Sequence, residues 1–137
     1  MHHLFVYGTL RPGGSNHDLL ECANSTVAPA TASGLALYSN ASGTYPYATP
    51  HPHSQIAGAL ITVPHGEWPA IVARLDMLEG YDPHTDNGHY LRRRRTIHTG
   101  ANGATEAWIY LAGPRIRLSP DRRIHHGDWL HHTRHSA

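Results

Sequence analysis

The sequence predicts an α+β fold built on a strongly curved sheet or small barrel. Three observations lead there. Short apolar runs bounded by Gly, Pro, Asn and Ser recur along the chain, as strands do. A single segment, Trp68 to Glu79, carries apolar residues at helical spacing. That helix precedes the last hairpin, so helix and sheet pack together as one unit.

Each element has its own signal. Leu4-Phe5-Val6-Tyr7 runs into Gly8 and reads as a buried strand. Asn16-His17-Asp18-Leu19-Leu20 is expected to open a short helix, with Ser15 or Asn16 as its N-cap. Residues 24–38 form a long strand bent at Gly34. Residues 39–53, rich in Ser, Gly, Pro and His, are expected as loop with Tyr45-Pro46-Tyr47 inside it. Gln55 to Val63 alternates weakly, as a strand does, and ends at Pro64-His65-Gly66.

Trp68, Ile71, Val72, Leu75 and Leu78 then define one helix face. Pro69 sits in the first turn, where its missing N–H costs nothing, and Gly80 supplies the stop. A loop (81–88) leads to a strand (89–99), a hairpin turn at Gly100-Ala101-Asn102-Gly103 and a strand (104–112). The tail beyond Pro114 is Arg- and His-rich and irregular, with a short helix expected near Trp129.

The bulk properties narrow the class. At 137 residues the chain fits one domain and buries roughly two-thirds of its unfolded surface without a staple. Hydrophobic residues at 39% and charged residues at 15% exclude a disordered chain. A net charge of +1 argues against a nucleic-acid partner. No apolar stretch approaches the ~18 residues of a membrane span. The single cysteine, Cys22, allows no intrachain disulfide, and MHHLFVYGTL does not read as a signal peptide. The expected setting is the cytoplasm.

Two places carry candidate chemistry. Glu79 ends the helix in LDMLEGY, four residues from Leu75 and thus near the apolar stripe. The negative end of the helix dipole and partial burial both push a carboxyl upward there, which suits a general base. On spacing alone, a Glu facing water or paired with an Arg is the plainer account. Gly8-Thr9-Leu10 follows a buried strand, and successive N–H groups in such a turn can hold an anion. A plain turn fits the same residues.

Other features are weaker. His51-Pro52-His53, His125-His126 and the run His131 to His135 invite a metal, but Asp128 is the only nearby acid, and no metal is expected. Arg92 to Arg95 alternate on a strand, with Arg92 inward and Arg93 outward. Asp76, three residues before Glu79, fits a paired-carboxylate role, but a solvent-facing position is the plainer account, and Glu67 is expected to serve as a helix N-terminal acid. Cys22 lies far in sequence from a clear base.

FVYGTLRPG (residues 5–13) and LDMLEGYDP (75–83) together resemble the γ-glutamylcyclotransferase-like family, which includes the plant AIG2-like proteins and bacterial antibiotic-pathway cyclotransferases. The resemblance continues in order. Tyr45-Pro46-Tyr47 is similar to the family's Tyr-Pro pair. Gly58-Ala59-Leu60 resembles its "GELY" strand with Ala59 in place of Glu, and Tyr90-Leu91-Arg92 its "YxR". Ala107-Trp108-Ile109-Tyr110 resembles "AWVY". Residues 4–113 are covered. Gly127-Asp128-Trp129 resembles a stretch in some relatives that has no assigned role.

The resemblance implies a small mixed β-barrel with flanking helices over residues 1–113, and a C-terminal extension, 114–137, packed on it or trailing it. It implies cyclisation of a γ-glutamyl amide to 5-oxoproline with release of an amine, without cofactor or metal. Glu79 then falls on the catalytic acid/base, and Tyr7, Gly8, Thr9 and Leu10 on the substrate-binding loop. Tyr47 and Tyr110 are expected to line the pocket or orient Glu79, or else to serve as core aromatics. The partner would be a small γ-glutamyl molecule, with no nucleic acid or membrane involved and the oligomeric state open. The alternative is a catalytically silent carboxylate-binding module of the same fold.

Overall fold

The structure is a computed structural model that describes residues 1–11, 25–100 and 103–135. The helix expected from Ser15 or Asn16, Cys22, and the tip of the 100–103 turn lie outside the described residues.

Among the described residues, eight strands and two α-helices follow in order. They are β1 (His2–Val6), β2 (Thr26–Ser39), β3 (Pro46–Val63), α1 (Trp68–Glu79), β4 (Tyr81–Asp82), β5 (Asn87–Gly88), β6 (Tyr90–His98), β7 (Ala104–Ala112), β8 (Arg123–Ile124) and α2 (Trp129–His135). The main sheet has the order β3-β1-β7-β6-β2-β8, and β2 also pairs with β3. Five strands therefore close into a barrel, with β8 laid on the far end of β2. The barrel is mixed because β1 runs parallel to β7, with Leu4 opposite Trp108, while the other neighbours are antiparallel. The α+β barrel expected from the sequence is the observed fold.

Period-2 alternation sorts side chains between two cores. Phe5 on β1, Ile56 and Leu60 on β3, Ile97 on β6 and Ile109 on β7 join one cluster, inside the barrel. Leu4, Val6, Ile61, Val63 and Tyr110 point the other way and meet Trp68, Ile71 and Leu75 of α1. Both faces of β1 are covered at Leu4-Phe5-Val6, so that part reads as an unbroken apolar run.

The helix is as expected at its ends. Pro69 lies in the first turn, and Gly80 caps the C-terminus at φ 64°, donating to the Asp76 and Met77 carbonyls. That left-handed geometry favours glycine. Its buried face differs in two positions. Leu78 is exposed, and Asp76, expected in solvent, is buried at 7% exposure.

The expected loop 39–53 is mostly strand. β3 starts at Pro46 and pairs with β2 from Ser39↔Pro46 onward, with a register shift around Gly34. The turn shrinks to residues 40–45, where the Asn40 side chain accepts from the Thr44 and Tyr45 N–H groups at 2.8 and 3.1 Å. The prolines are tolerated because β1 pairs only with residues 59–63 of β3, leaving the outer edge of residues 46–55 without a strand that needs their N–H.

Candidate active site

Three elements bring their ends together. After β1, Gly8 to Arg11 fold into a turn in which the Arg11 N–H donates to the Gly8 carbonyl at 3.1 Å. β3 begins at Pro46, and α1 ends at Glu79. Between them lies a cavity of about 330 Å³. Its wall is formed by Phe5 to Leu10, by Thr44, Tyr45 and Pro46, by Leu78 and Glu79, and by His89, Tyr90 and Tyr110. This is the size and largely apolar character of a small-molecule site.

Glu79 is the only carboxylate among those lining residues. Burial pushes its carboxyl up to about 7. The cause is loss of water around the charged form, at a helix end whose dipole also disfavours a negative charge. A carboxyl that titrates near neutrality both accepts and returns protons readily.

The hydroxyls of Tyr7, Tyr90 and Tyr110 at the cavity are occupied by the protein itself. Tyr7 donates to the Tyr110 carbonyl and accepts from the Ala48 N–H at 3.3 Å. Tyr90 donates to the Pro46 carbonyl at 2.7 Å, and Tyr110 to Asp76 Oδ1 at 2.6 Å. Burial, and then the nearby Glu79 charge, push the Tyr7 phenol far up. Burial does the same to Tyr90 and Tyr110. These phenols stay protonated at neutral pH and brace the wall.

Asp76 anchors α1 to the sheet. It accepts from Arg92 Nε at 3.0 Å and Nη2 at 3.3 Å, besides the Tyr110 hydroxyl. Arg92 in turn stacks over Trp108 at 4.9 Å and Tyr81 at 5.5 Å. Arg92 and Arg93 lie on opposite faces of β6, as strand alternation requires: Arg92 shares the face of Tyr110 under α1 and is the more buried, while Arg93 lies opposite Ile109 and pairs with the exposed Asp86 at 2.7 Å. Asp76 is buried because this paired, hydrogen-bonded setting replaces its hydration.

The sequence profile of the family described as Gamma-glutamyl cyclotransferase, AIG2-like matches residues 4–131. The chain belongs to that family. The match, like the structure, runs past residue 113 into the C-terminal segment. Membership of this family, which acts on small γ-glutamyl substrates, supports a cyclotransferase-like function in general terms.

Solved structures share the family fold. The uncharacterized protein PH0828 of Pyrococcus horikoshii superposes with a TM-score of 0.63 at 21% identity, over 100% of both chains. YkqA of Bacillus subtilis gives 0.67 at 26% identity, over 96% of this chain and 40% of its own. A structure described as gamma-glutamyl cyclotransferase gives 0.58 at 13% identity, over 88% of this chain and 73% of its own. No curated protein matches the chain significantly.

Within this family member, Tyr7, Gly8, Thr9, Leu10, Glu79 and Tyr110 line one cavity. Tyr47 does not. It stands behind the wall, its hydroxyl 2.8 Å from His89 Nε2 and its ring 5.2 Å from that of Tyr90. Tyr110 does not orient Glu79 through its hydroxyl, which is directed at Asp76.

Sequence reasoning missed His89. The excursion 81–88 folds as the antiparallel pair β4–β5, which returns the chain so that the His89 N–H donates to the Gly80 carbonyl at 3.0 Å. The turn-like Asp86-Asn87-Gly88 was the available signal. Among the described residues no three of His, Cys, Asp and Glu are grouped so as to hold a metal. No helix among them is long and apolar enough to cross a membrane.

Proposed function

We propose that this protein converts a γ-glutamyl amide into 5-oxoproline and a free amine, with Glu79 as the single general acid/base. The observation that carries the reading is that Glu79 and the Gly8–Leu10 turn line the same cavity, in a chain of this family.

In this reading the backbone of the turn, with the Thr9 hydroxyl, receives the substrate's α-carboxylate. The α-amine, once neutral, attacks the substrate's own γ-carbonyl carbon. A C–N bond forms and closes the five-membered ring, and the proton from the attacking nitrogen passes to the Glu79 carboxylate. The tetrahedral intermediate then collapses. The original amide C–N bond breaks, and Glu79 returns the proton to the departing nitrogen, leaving an amine.

No enzyme nucleophile is needed because attack is intramolecular. The enzyme's contribution is to hold one rotamer of the glutamyl chain, an effect that reaches about 7–11 kcal/mol in well-oriented systems. A carboxyl near neutrality suits both proton transfers. The braced phenols of Tyr7, Tyr90 and Tyr110 keep the wall rigid, as a site of this kind requires.

The test is release of 5-oxoproline from a panel of γ-glutamyl amines, peptides and amino acids, read by mass spectrometry. Wild type is expected to turn over at least one, and Glu79→Gln to lose roughly 10²- to 10⁴-fold in kcat. A wild type inert on the whole panel favours the silent carboxylate-binding module. A fully active Glu79→Gln overturns the assigned mechanism.

A further inference from the structure

The C-terminal segment 127–129 is fixed to the barrel on both sides of Asp128. The Gly127 carbonyl accepts from the Ala57 N–H of β3 at 2.7 Å. Gly127 itself sits at φ 72° against the Gln55–Ile56 backbone, where a Cβ at Gly127 would lie 3.3 Å from Ile56 Cα. Trp129, 3% exposed, is packed in the barrel core with Phe5 and Tyr7. Asp128 is thereby presented in one place, and its Oδ1 accepts from Arg11 Nη1 at 2.7 Å.

Arg11 closes the Gly8–Arg11 turn, and it does not line the cavity. Leu10, 6% exposed, packs beside it in the core under α1. The turn is therefore held from within by Leu10 and from outside by the arginine. The pair is not a loose surface contact: the side chains are 14% and 31% exposed. Burial works against the charge of Asp128, but the Arg11 guanidinium and the His131 N–H hold its carboxyl below the usual range.

We infer that Gly127-Asp128-Trp129 is a latch that fixes the Gly8–Arg11 turn in its site-forming shape, with Arg11 and Asp128 as positioning residues. The inference deepens the function proposed above and rests on it only where activity is the readout. Its chemical logic is that a turn receiving a substrate carboxylate must be held before the substrate arrives.

Two variants isolate the pair. Arg11→Met leaves α2 untouched. Asp128→Asn keeps a good N-cap for the His131 N–H while removing the charge. Amide hydrogen exchange in the free protein then reports on the turn alone. In both single variants the Leu10 and Arg11 amides are expected to exchange roughly tenfold faster, with the β1 and β7 amides unchanged. The double variant should add little more, because the pair acts as one unit. Arg11→Lys should restore part of the protection. On an active substrate, KM should rise by about tenfold with kcat less affected.

Unchanged exchange in the turn overturns the latch, as does acceleration spread evenly over β1 and β7. If wild type releases no 5-oxoproline, the function proposed above fails, and the exchange result still decides the latch.

Discussion

The Tyr110 hydroxyl donates to Asp76 Oδ1 at 2.6 Å, tying β7 to α1 one turn before Glu79. Asp76 also holds Arg92 through two nitrogens. The strand register is what makes this possible, since Arg92 lies opposite Tyr110 in the β6–β7 ladder. One buried carboxylate thus receives both neighbours of a cross-strand pair and fixes the helix whose end carries the candidate acid.

Breaking that arrangement should be costly. Asp76→Ala leaves Arg92 without its acid and is expected to destabilise by about 3–5 kcal/mol. Removing the exposed Arg93–Asp86 pair with Arg93→Ala should cost about 1 kcal/mol or less. Urea unfolding of the two variants checks the contrast. Similar midpoints would show that Asp76 does not anchor α1.

Glu79 predicts a pH-dependent rate. With its carboxyl at about 7, only the ionised form accepts the first proton. On a logarithmic scale, the kcat/KM of an active substrate should lose one unit of slope near pH 7, on top of the titration of the substrate's own amine, and Glu79→Gln should lack that bend. A profile without that bend from pH 5 to 8 would remove Glu79 from the role of base.

The same shift predicts a stability effect of opposite sense. The folded-state value, about 7, stands above the ordinary 4.5, so the folded form holds its proton where the unfolded chain has lost it. Stability from this group is full below pH 4.5 and is lost as pH rises to about 7. Glu79→Gln should therefore stabilise the protein by up to about 3 kcal/mol above pH 7, with the gain vanishing near pH 4.5. Thermal unfolding of both proteins at pH 4.5 and 8 measures it.

Tyr7→Phe removes one hydroxyl and strands two buried backbone groups, the Tyr110 carbonyl and the Ala48 N–H. The expected cost is about 1–3 kcal/mol. Because that hydroxyl is engaged inside the protein, the variant should keep turnover under conditions where it is folded. A large loss of kcat without loss of stability would move Tyr7 from wall brace to reactant contact.

Gly80→Ala forces a left-handed conformation on a residue with a Cβ, 3.3 Å from the Cβ of His89. A loss of about 1 kcal/mol follows from the backbone. His89, which the Gly80 carbonyl holds through its N–H, should shift with it. The His89 ring resonances in an NMR spectrum report the displacement.

The sequence was most legible where a local rule had no competitor. Trp68 to Glu79 forms the expected helix between Pro69 and Gly80 because spacing, proline placement and stop agree. The strand of residues 104–112 is legible for the same reason. The loop expected at 39–53 failed because Pro and His signal a break only when both strand edges are paired. Residues 46–55 have β2 alone as partner, so the prolines cost no hydrogen bond. At the site, Glu79 and the Gly8 turn stood out as ends of elements, whereas His89 reached the cavity only through the β4–β5 return.

By itself, then, the sequence determined most element types outside 39–53 and 81–88, the closed and mixed barrel through its family likeness, and the pairing of one acid with one glycine turn. Periodicity and chain-terminating residues are local, and they survive in a list of letters. Only the tertiary structure decided that Asp76 is buried, that Tyr110 serves it, that Tyr47 stands behind the wall, and that Asp128 reaches Arg11. Each of those depends on which charged or hydroxyl groups meet once the barrel closes. Burial makes a partner obligatory, but register and closure choose which one.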